Sequence, residues 1–308
     1  MAHQHRRHGF TLIELMISMA VMGVVLVQAY SIFVTQHRAH TGLQRTVEVQ
    51  QSVRLVADAI LSDLRMAGYM VPAQAGVASL DGGNNAADVL CISDPSRIAD
   101  DKAQAAGVRF DLASITGAVD GGDSQLTVDA DEVDIDSNLE DDFIAERGLI
   151  LVDDDSSHCA FITGVGGGGD NNIISFTPAT PAGFDASIAN ARVVPAVIYR
   201  LNGTDLIRNN LRVASQVEDL QIEFGLDADD NGLLAAGEFQ HDLNGRDPLD
   251  LLAVRLTIVV RGERTDETVR STGRPAVGNR AAGAADGIRR RTVTALITPR
   301  NIHGVGGS

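Results

Sequence analysis

Asp227, Asp229 and Asn231 place three short oxygen side chains at alternate positions, followed by Gly232 and, six residues further on, Glu238. The string fits D-x-[DN]-x-[DN]-G-x5-E, a spacing that wraps a loop around a hard divalent cation. The Leu233 carbonyl would add one oxygen and Glu238 could close the shell with both of its own. Ala235 offers no ligand, so water would fill that place. The run before the loop, Val217–Phe224, reads as a strand, so the paired-helix setting of a calcium sensor is not expected. What is expected is a structural Ca2+ site with Kd of about 10⁻⁴–10⁻³ M. The bland alternative is a solvated acidic turn.

The other chemistry-bearing residues are sparse. Cys91 and Cys159 are the two cysteines. In an exported domain they are expected to form a disulfide between neighbouring strands, with two buried thiols as the alternative. The acidic runs Asp129–Asp136, Glu140–Asp142 and Asp153–Asp155 have no His or Lys beside them and read as solvated loops rather than catalytic pairs. His158 and His241 read as surface residues. The chain has no nucleophile elbow, no H-E-x-x-H and no phosphate-cradling loop, and no enzymatic activity is expected. Acidic residues outnumber basic ones 41 to 25 in 308 residues, for a net charge of −16, which opposes nucleic-acid binding.

The elements that must carry these residues change character along the chain. Leu15–Val34 is a 20-residue run without a charge, long enough as a helix to cross a bilayer of about 30 Å. Arg6 and Arg7 precede it, placing the N-terminus in the cytoplasm and the rest outside. The helix is expected to continue, because Val49, Val53, Val56, Ile60 and Leu64 recur at steps of three and four while Arg45, Glu48, Arg54 and Asp58 lie off that stripe. Gly68 and Pro72 then supply a stop. Beyond it the pattern is β: Asp88–Ser93, Leu149–Val152, Ala160–Val165, Asn172–Thr177, Val217–Phe224 and Ala253–Val260 are short and rich in β-branched residues. Val254, Leu256, Ile258 and Val260 alternate with Arg255, Thr257 and Val259, as in a strand with one buried face. Asn202-Gly203 signals a type I′ hairpin. Asp81–Asn85, Gly166–Asn172 and Arg274–Gly287 are expected to be loops.

The segment Gly9-Phe10-Thr11-Leu12-Ile13-Glu14-Leu15-Met16, behind a short basic leader, resembles the processing motif of type IV prepilins and type II secretion pseudopilins. Asp63-Leu64-Arg65-Met66-Ala67-Gly68-Tyr69 resembles the segment that follows the helix in the PilW family of minor pilins. Weaker echoes are Gly148–Asp153 and Arg291–Leu296. The resemblance implies cleavage between Gly9 and Phe10 by a prepilin peptidase, N-methylation of Phe10, and an assembly role for Glu14 toward the N-terminal amine of a neighbouring subunit. Loss of the leader would take Arg6 and Arg7 and leave a charge of −18 (−16 minus 2). The implied fold is α+β, a long N-terminal helix packed on a mostly antiparallel sheet. Its divisions would be a leader at 1–9, a membrane half-helix at 10–35, an amphipathic half at 36–69 and a β-rich head at 70–308. The implied partners are other minor and major pilins, the inner-membrane assembly platform and a tip adhesin, with the inner membrane and then the pilus as location. The minor pseudopilin of a type II secretion system and a pilus-displayed, calcium-stabilised adhesin are the alternatives.

Overall fold

The computed structural model describes residues 11–69, 71–97, 113–129, 142–153, 156–167, 171–186, 191–229, 231–243, 250–265 and 272–302. The chain divides into two compact units, Met1–Glu48 and Val49–Ser308.

The described part of the first unit is helical and belongs to α1, Leu12–Met66, 55 residues in all. Its stretch Leu12–His37 has a mean hydropathy of 2.1 and none of it is buried within the chain. The few polar groups here are satisfied by the helix itself. Ser31 Oγ donates to the Gln28 carbonyl at 2.9 Å and Thr35 Oγ1 to the Ser31 carbonyl at 2.8 Å. Such back-bonding lets hydroxyls sit in an apolar medium.

The second unit takes in the end of α1 and the β-rich remainder. A short helical turn α2 (Ala73–Gly76) leads into β1 (Val77–Leu80), β2 (Val89–Ser93), β3 (Ala113–Ser114), β4 (Val119–Asp120), β5 (Gln125–Asp129), β6 (Gly148–Val152), β7 (Ser157–Gly167) and β8 (Asn171–Thr177). There follow β9 (Asp185–Ala186), β10 (Arg192–Asn202), β11 (Asp205–Arg208), β12 (Leu211–Ala214), β13 (Val217–Leu226), β14 (Phe239–Gln240), β15 (Leu251–Thr265) and β16 (Ile288–Ile297). Every strand expected from the sequence is present. They are distributed over a ten-stranded sheet with the path β1-β2-β10-β6-β7-β8-β5, a four-stranded sheet β14-β13-β15-β16, and the pair β4-β9, rather than one surface. Strand pairing among the described residues is antiparallel.

The α1 stripe meets both large sheets. Val53, Val56, Ile60 and Leu64 are buried in one apolar cluster with Leu90, Ile92 and Tyr199 of the ten-stranded sheet and with Leu220, Ile222, Leu256 and Ile258 of the four-stranded one. Arg54 and Asp58 stay exposed, as their place off the stripe requires. The side chain of Val49 lies outside the described residues. Asp63, on the rim of the stripe, accepts from Tyr199 Oη and Arg208 Nε, both at 2.8 Å, and so fastens the helix to β10 and β11. The helix ends at Met66, and the Gly68 N–H donates to Ser93 Oγ at 3.2 Å.

Strand β6 shows why the ten-stranded sheet has no solvent face there. All five residues are buried. Leu149 and Leu151 enter one apolar cluster with Ile162 and Phe176, while Ile150 and Val152 enter another with Ala78, Cys91 and Val194. Both faces covered produce an unbroken apolar run instead of alternation.

Three local features differ from expectation. The hairpin between β10 and β11 pairs Asn202 with Asp205, so its turn residues are Gly203 and Thr204. Gly203 alone has a positive φ, +63°, which is the type II′ pattern, because type I′ needs two consecutive left-handed residues. Gly166 and Gly167 belong to β7, and Asn171 and Asn172 to β8, so both ends of the expected loop are strand, while residues 168–170 lie outside the described residues. On β15, Thr257 and Val259 are buried as well as the opposite face. The Arg274–Gly287 loop is fastened to the neighbouring strand: Arg274 Nη1 lies 2.8 Å and Arg280 Nη1 2.9 Å from the fully buried Asp219 carboxylate.

Candidate functional sites

At the start of α1, Thr11 and Glu14 form a reciprocal cap. The Thr11 N–H and Oγ1 each donate to Glu14 Oε2 at 3.0 Å, and the Glu14 N–H donates to Thr11 Oγ1 at 3.3 Å. This is a capping box: two donors that the first turn leaves unpaired are satisfied by side chains. The carboxylate at the head of an apolar helix is therefore held within its own chain. Gly9 and Phe10 lie outside the described residues.

Cys91 and Cys159 form a disulfide, with their Cα atoms 5.6 Å apart. They are not on neighbouring strands. Between β2 and β7 the sheet path passes through β10 and β6, and three strand spacings in a flat sheet would separate them by about 14 Å. The sheet therefore curls until β2 approaches β7, and the bridge closes the inside of the curl among Ile150, Val194, Ala196 and Ile198.

The opposite face of β7 is covered too, and His158, next to Cys159 in sequence but on that opposite face, is 3% exposed. Its ring sits between Phe176 and Phe184, each 6.1 Å away by centroid. Its Nε2 donates to the Pro178 carbonyl at 3.1 Å. Burial pushes its pKa below the ordinary histidine value. It is a core histidine rather than a surface one, because strand β7 is covered on both sides. Asp142 likewise is 1% exposed and faces Arg97 at 3.6 Å, not solvent. Residues 130–141, 154 and 155 of the acidic runs lie outside the described residues.

The acidic loop closes the connection between β13 and β14, which pair through Phe224–Gln240 and Gly225–Phe239. Neither flank is an α-helix; Glu238 ends a single 3₁₀ turn at Ala236–Glu238. Carboxylate oxygens of Asp227, Asp229 and Glu238 converge to within 4.8 Å of one another. Gly232 turns the backbone at φ +74°, a conformation that glycine reaches without a Cβ penalty. The Asn231 and Gly232 N–H groups donate to Asp227 at 3.0 and 2.7 Å, and the Leu233 N–H donates to Asn231 Oδ1 at 2.7 Å. The Ala235 N–H donates to Glu238 Oε2 at 2.6 Å. The loop is pinned at its end by Phe239, whose ring lies 3.7 Å from the Arg255 guanidinium. The donor set fits a hard cation: three carboxylates at one point, no basic residue among them, and lone pairs left over after the backbone N–H groups have been accepted.

Comparison with known proteins bears on both ends of the chain. Residues 4–27 match the family described as prokaryotic N-terminal methylation motif, and residues 187–301 match type IV pilus-assembly protein W. Over 62 residues, 20% of the chain, it is 36% identical to a pilin-like protein, PilA3, of Thermus thermophilus, and the match covers 27% of that protein. The chain thus spans about a quarter of the length of the curated relative it matches. A solved type IV-like pilin of Thermus thermophilus, TTHA1219, is 11% identical, with a TM-score of 0.37, over 82% of this chain and 96% of that one.

Proposed function

We propose that this is a type IV pilin-like protein of the PilW family, acting as a minor pilin in the complex that initiates and tips a type IV pilus. The observation that carries the reading is the joint presence, on one chain, of a methylation motif at 4–27, a membrane-length apolar helix at Leu12–His37 and a PilW match at 187–301. Prepilin peptidase would cut between Gly9 and Phe10 and methylate Phe10. The chain would sit in the inner membrane with its N-terminus cytoplasmic and its head periplasmic until the assembly platform passes it to other minor and major pilins, with a tip adhesin beyond. Its role is structural rather than catalytic. Glu14, held by Thr11 before assembly, would exchange that cap for the free amine of a neighbouring subunit, a stronger partner in an apolar bundle.

Mass spectrometry of the mature N-terminus tests this. The wild-type protein should begin at a Phe10 that is one methyl group heavier, and Gly9→Leu should leave a full-length precursor in the membrane. A wild-type protein that keeps Met1, or begins after residue 34, overturns the reading.

The converging acidic loop supports a second element, a structural Ca2+. Asp227, Asp229, Asn231 and Glu238 would hold it through side chains and Leu233 through its carbonyl, tying the β13–β14 connection together.

A further inference from the structure

Strand β16 is the last in the four-stranded sheet. One side is paired with β15 from Val254–Ile297 to Arg261–Arg290. Among the described residues no strand pairs the other side. Such an edge is a template for another chain, and proteins usually blunt it with charge, proline, a bulge or brevity. Here Thr292–Ile297 carries no charge, proline or glycine, and its pairing to β15 has no register shift over that stretch. Nor is the core finished at this border. Val293 and Ala295 point into the apolar cluster beneath α1 but are only partly buried. On the opposite face Thr292 and Thr294 are exposed, and Leu296 is 59% exposed.

The charge beside the edge indicates what it takes. Arg290 is used internally, by Glu218 and Asp286. Arg291 is exposed and has no ion-pair partner among the described residues, an unmatched cation on a chain of net charge −16. A second copy is a poor fit. Antiparallel self-pairing centred on Thr294 sets Arg291 opposite Ile297, and parallel self-pairing sets Arg291 against Arg291, which is repulsive.

We infer that the free edge of β16 over Thr292–Ile297 receives an extended segment of a different pilus subunit as a fifth, antiparallel strand, with a carboxylate of that segment placed opposite Arg291. Backbone hydrogen bonds supply affinity, alternate side chains complete the cover over Val293 and Ala295, and the Arg291 pair fixes the register.

The test uses the full chain in cells that assemble pili. Thr292, Thr294 and Leu296 are replaced one at a time by a photo-crosslinking phenylalanine. The adducts in sheared pili are then mapped by mass spectrometry. The expected result is a ladder: the three probes reach one segment of one other subunit, in two-residue steps running in the reverse direction, with an acidic residue opposite position 291. Arg291→Glu should lower the adduct yield at least tenfold, whereas Arg291→Lys should largely keep it. Neither exposed change should alter the thermal midpoint of the head. Adducts to this chain's own residues, to a second copy, to scattered positions, or none from protein that has reached the pili, overturn the inference. The inference rests on the pilin reading, and the two failures are separable: protein with a methylated Phe10 in the pili but no ladder defeats only the strand, while a retained leader defeats the reading itself.

Discussion

The two halves of α1 solve burial in opposite ways. From Leu12 to Phe33 the helix is apolar all round and its large side chains are exposed, Leu26 at 61% and Val27 at 67%. From Val53 to Leu64 it is amphipathic, and one stripe is buried to 0–3% exposure. An all-round apolar helix carries no information about which face to cover and depends on a lipid or helical environment, whereas a stripe names its partner within the same chain.

The largest effect expected from that contrast is in the second half. Ile60→Ala removes a fully buried side chain from the cluster shared by α1 and both sheets, and should cost the head about 2–5 kcal/mol. Leu26→Ala removes nearly as much apolar surface from an exposed position and should change head stability by less than about 0.5 kcal/mol. Denaturant unfolding of the full chain in detergent, followed by a probe in the head, compares them. Equal losses would break the contrast between the halves.

The second effect concerns the curl away from the helix. Cys91 and Cys159 are 68 residues apart in sequence, and replacing both by Ala should cost about 2–5 kcal/mol. The loss should concentrate in β1, β2 and β7, as read by hydrogen exchange, while the amides of α1 near Ile60 keep more of their protection. Uniform loss of protection would mean that the curled sheet and the helix-backed core are one cooperative unit.

These two regions also differ in how far the sequence disclosed them. The stripe at Val53, Val56, Ile60 and Leu64 was legible because its period is local. The strands were legible for the same reason, and so was the stop near Gly68. The strand order was not, because it depends on pairings between distant segments, such as β10 with β2, about a hundred residues earlier in sequence, and with β6 on its other side. The disulfide partners followed from there being two cysteines, but the curl that joins non-neighbouring strands did not. His158, expected at the surface, is buried because Phe176 and Phe184 cover the other face of β7, and Phe184 comes from beyond β8. The Asn202-Gly203 signal located a hairpin correctly and mistook its register by one residue, since Gly203 satisfies either turn type. The Asp227–Glu238 loop was readable residue by residue because its spacing is its geometry.

A smaller effect separates the sheets from each other. Asp88, just ahead of β2, accepts from the Gly82 N–H at 2.9 Å and from the Ile222 N–H of β13 at 2.8 Å. Burial pushes its pKa up to about 6 against these bonds, which lower it. The folded pKa is raised, so the stabilising contribution is complete below the ordinary value near 3.8, and is lost as pH rises through about 6. Asp88→Asn does not titrate. Relative to that variant, the wild type should lose at most about 3 kcal/mol between pH 4 and 7. A gap between the two that stays constant with pH would show that Asp88 keeps an ordinary pKa in the fold.

The smallest expected effect lies at the acidic loop, which depends neither on the α1 stripe nor on the curl. If the carboxylates of Asp227, Asp229 and Glu238 gather around an ion, they repel one another without it. Binding to the folded head alone then adds RT ln(1 + [L]/Kd), about 1.4 kcal/mol for each tenfold excess of calcium once the site is largely filled. With Kd in the range of about 10⁻⁴–10⁻³ M, the thermal midpoint should climb through millimolar calcium and fall back on chelation. Asp227→Ala should abolish the response and also lower the calcium-free midpoint, because its two oxygens accept the Asn231 and Gly232 N–H groups. Glu238→Ala should abolish the response at less structural cost, since it gives up one backbone bond, from Ala235. Magnesium should act more weakly, because it needs tighter octahedral geometry and parts from its waters reluctantly. A midpoint that ignores calcium in a folded wild-type head would reduce the loop to an acidic turn held by its own backbone. Retention of the calcium response in Glu238→Ala would instead move the ion away from the carboxylate cluster.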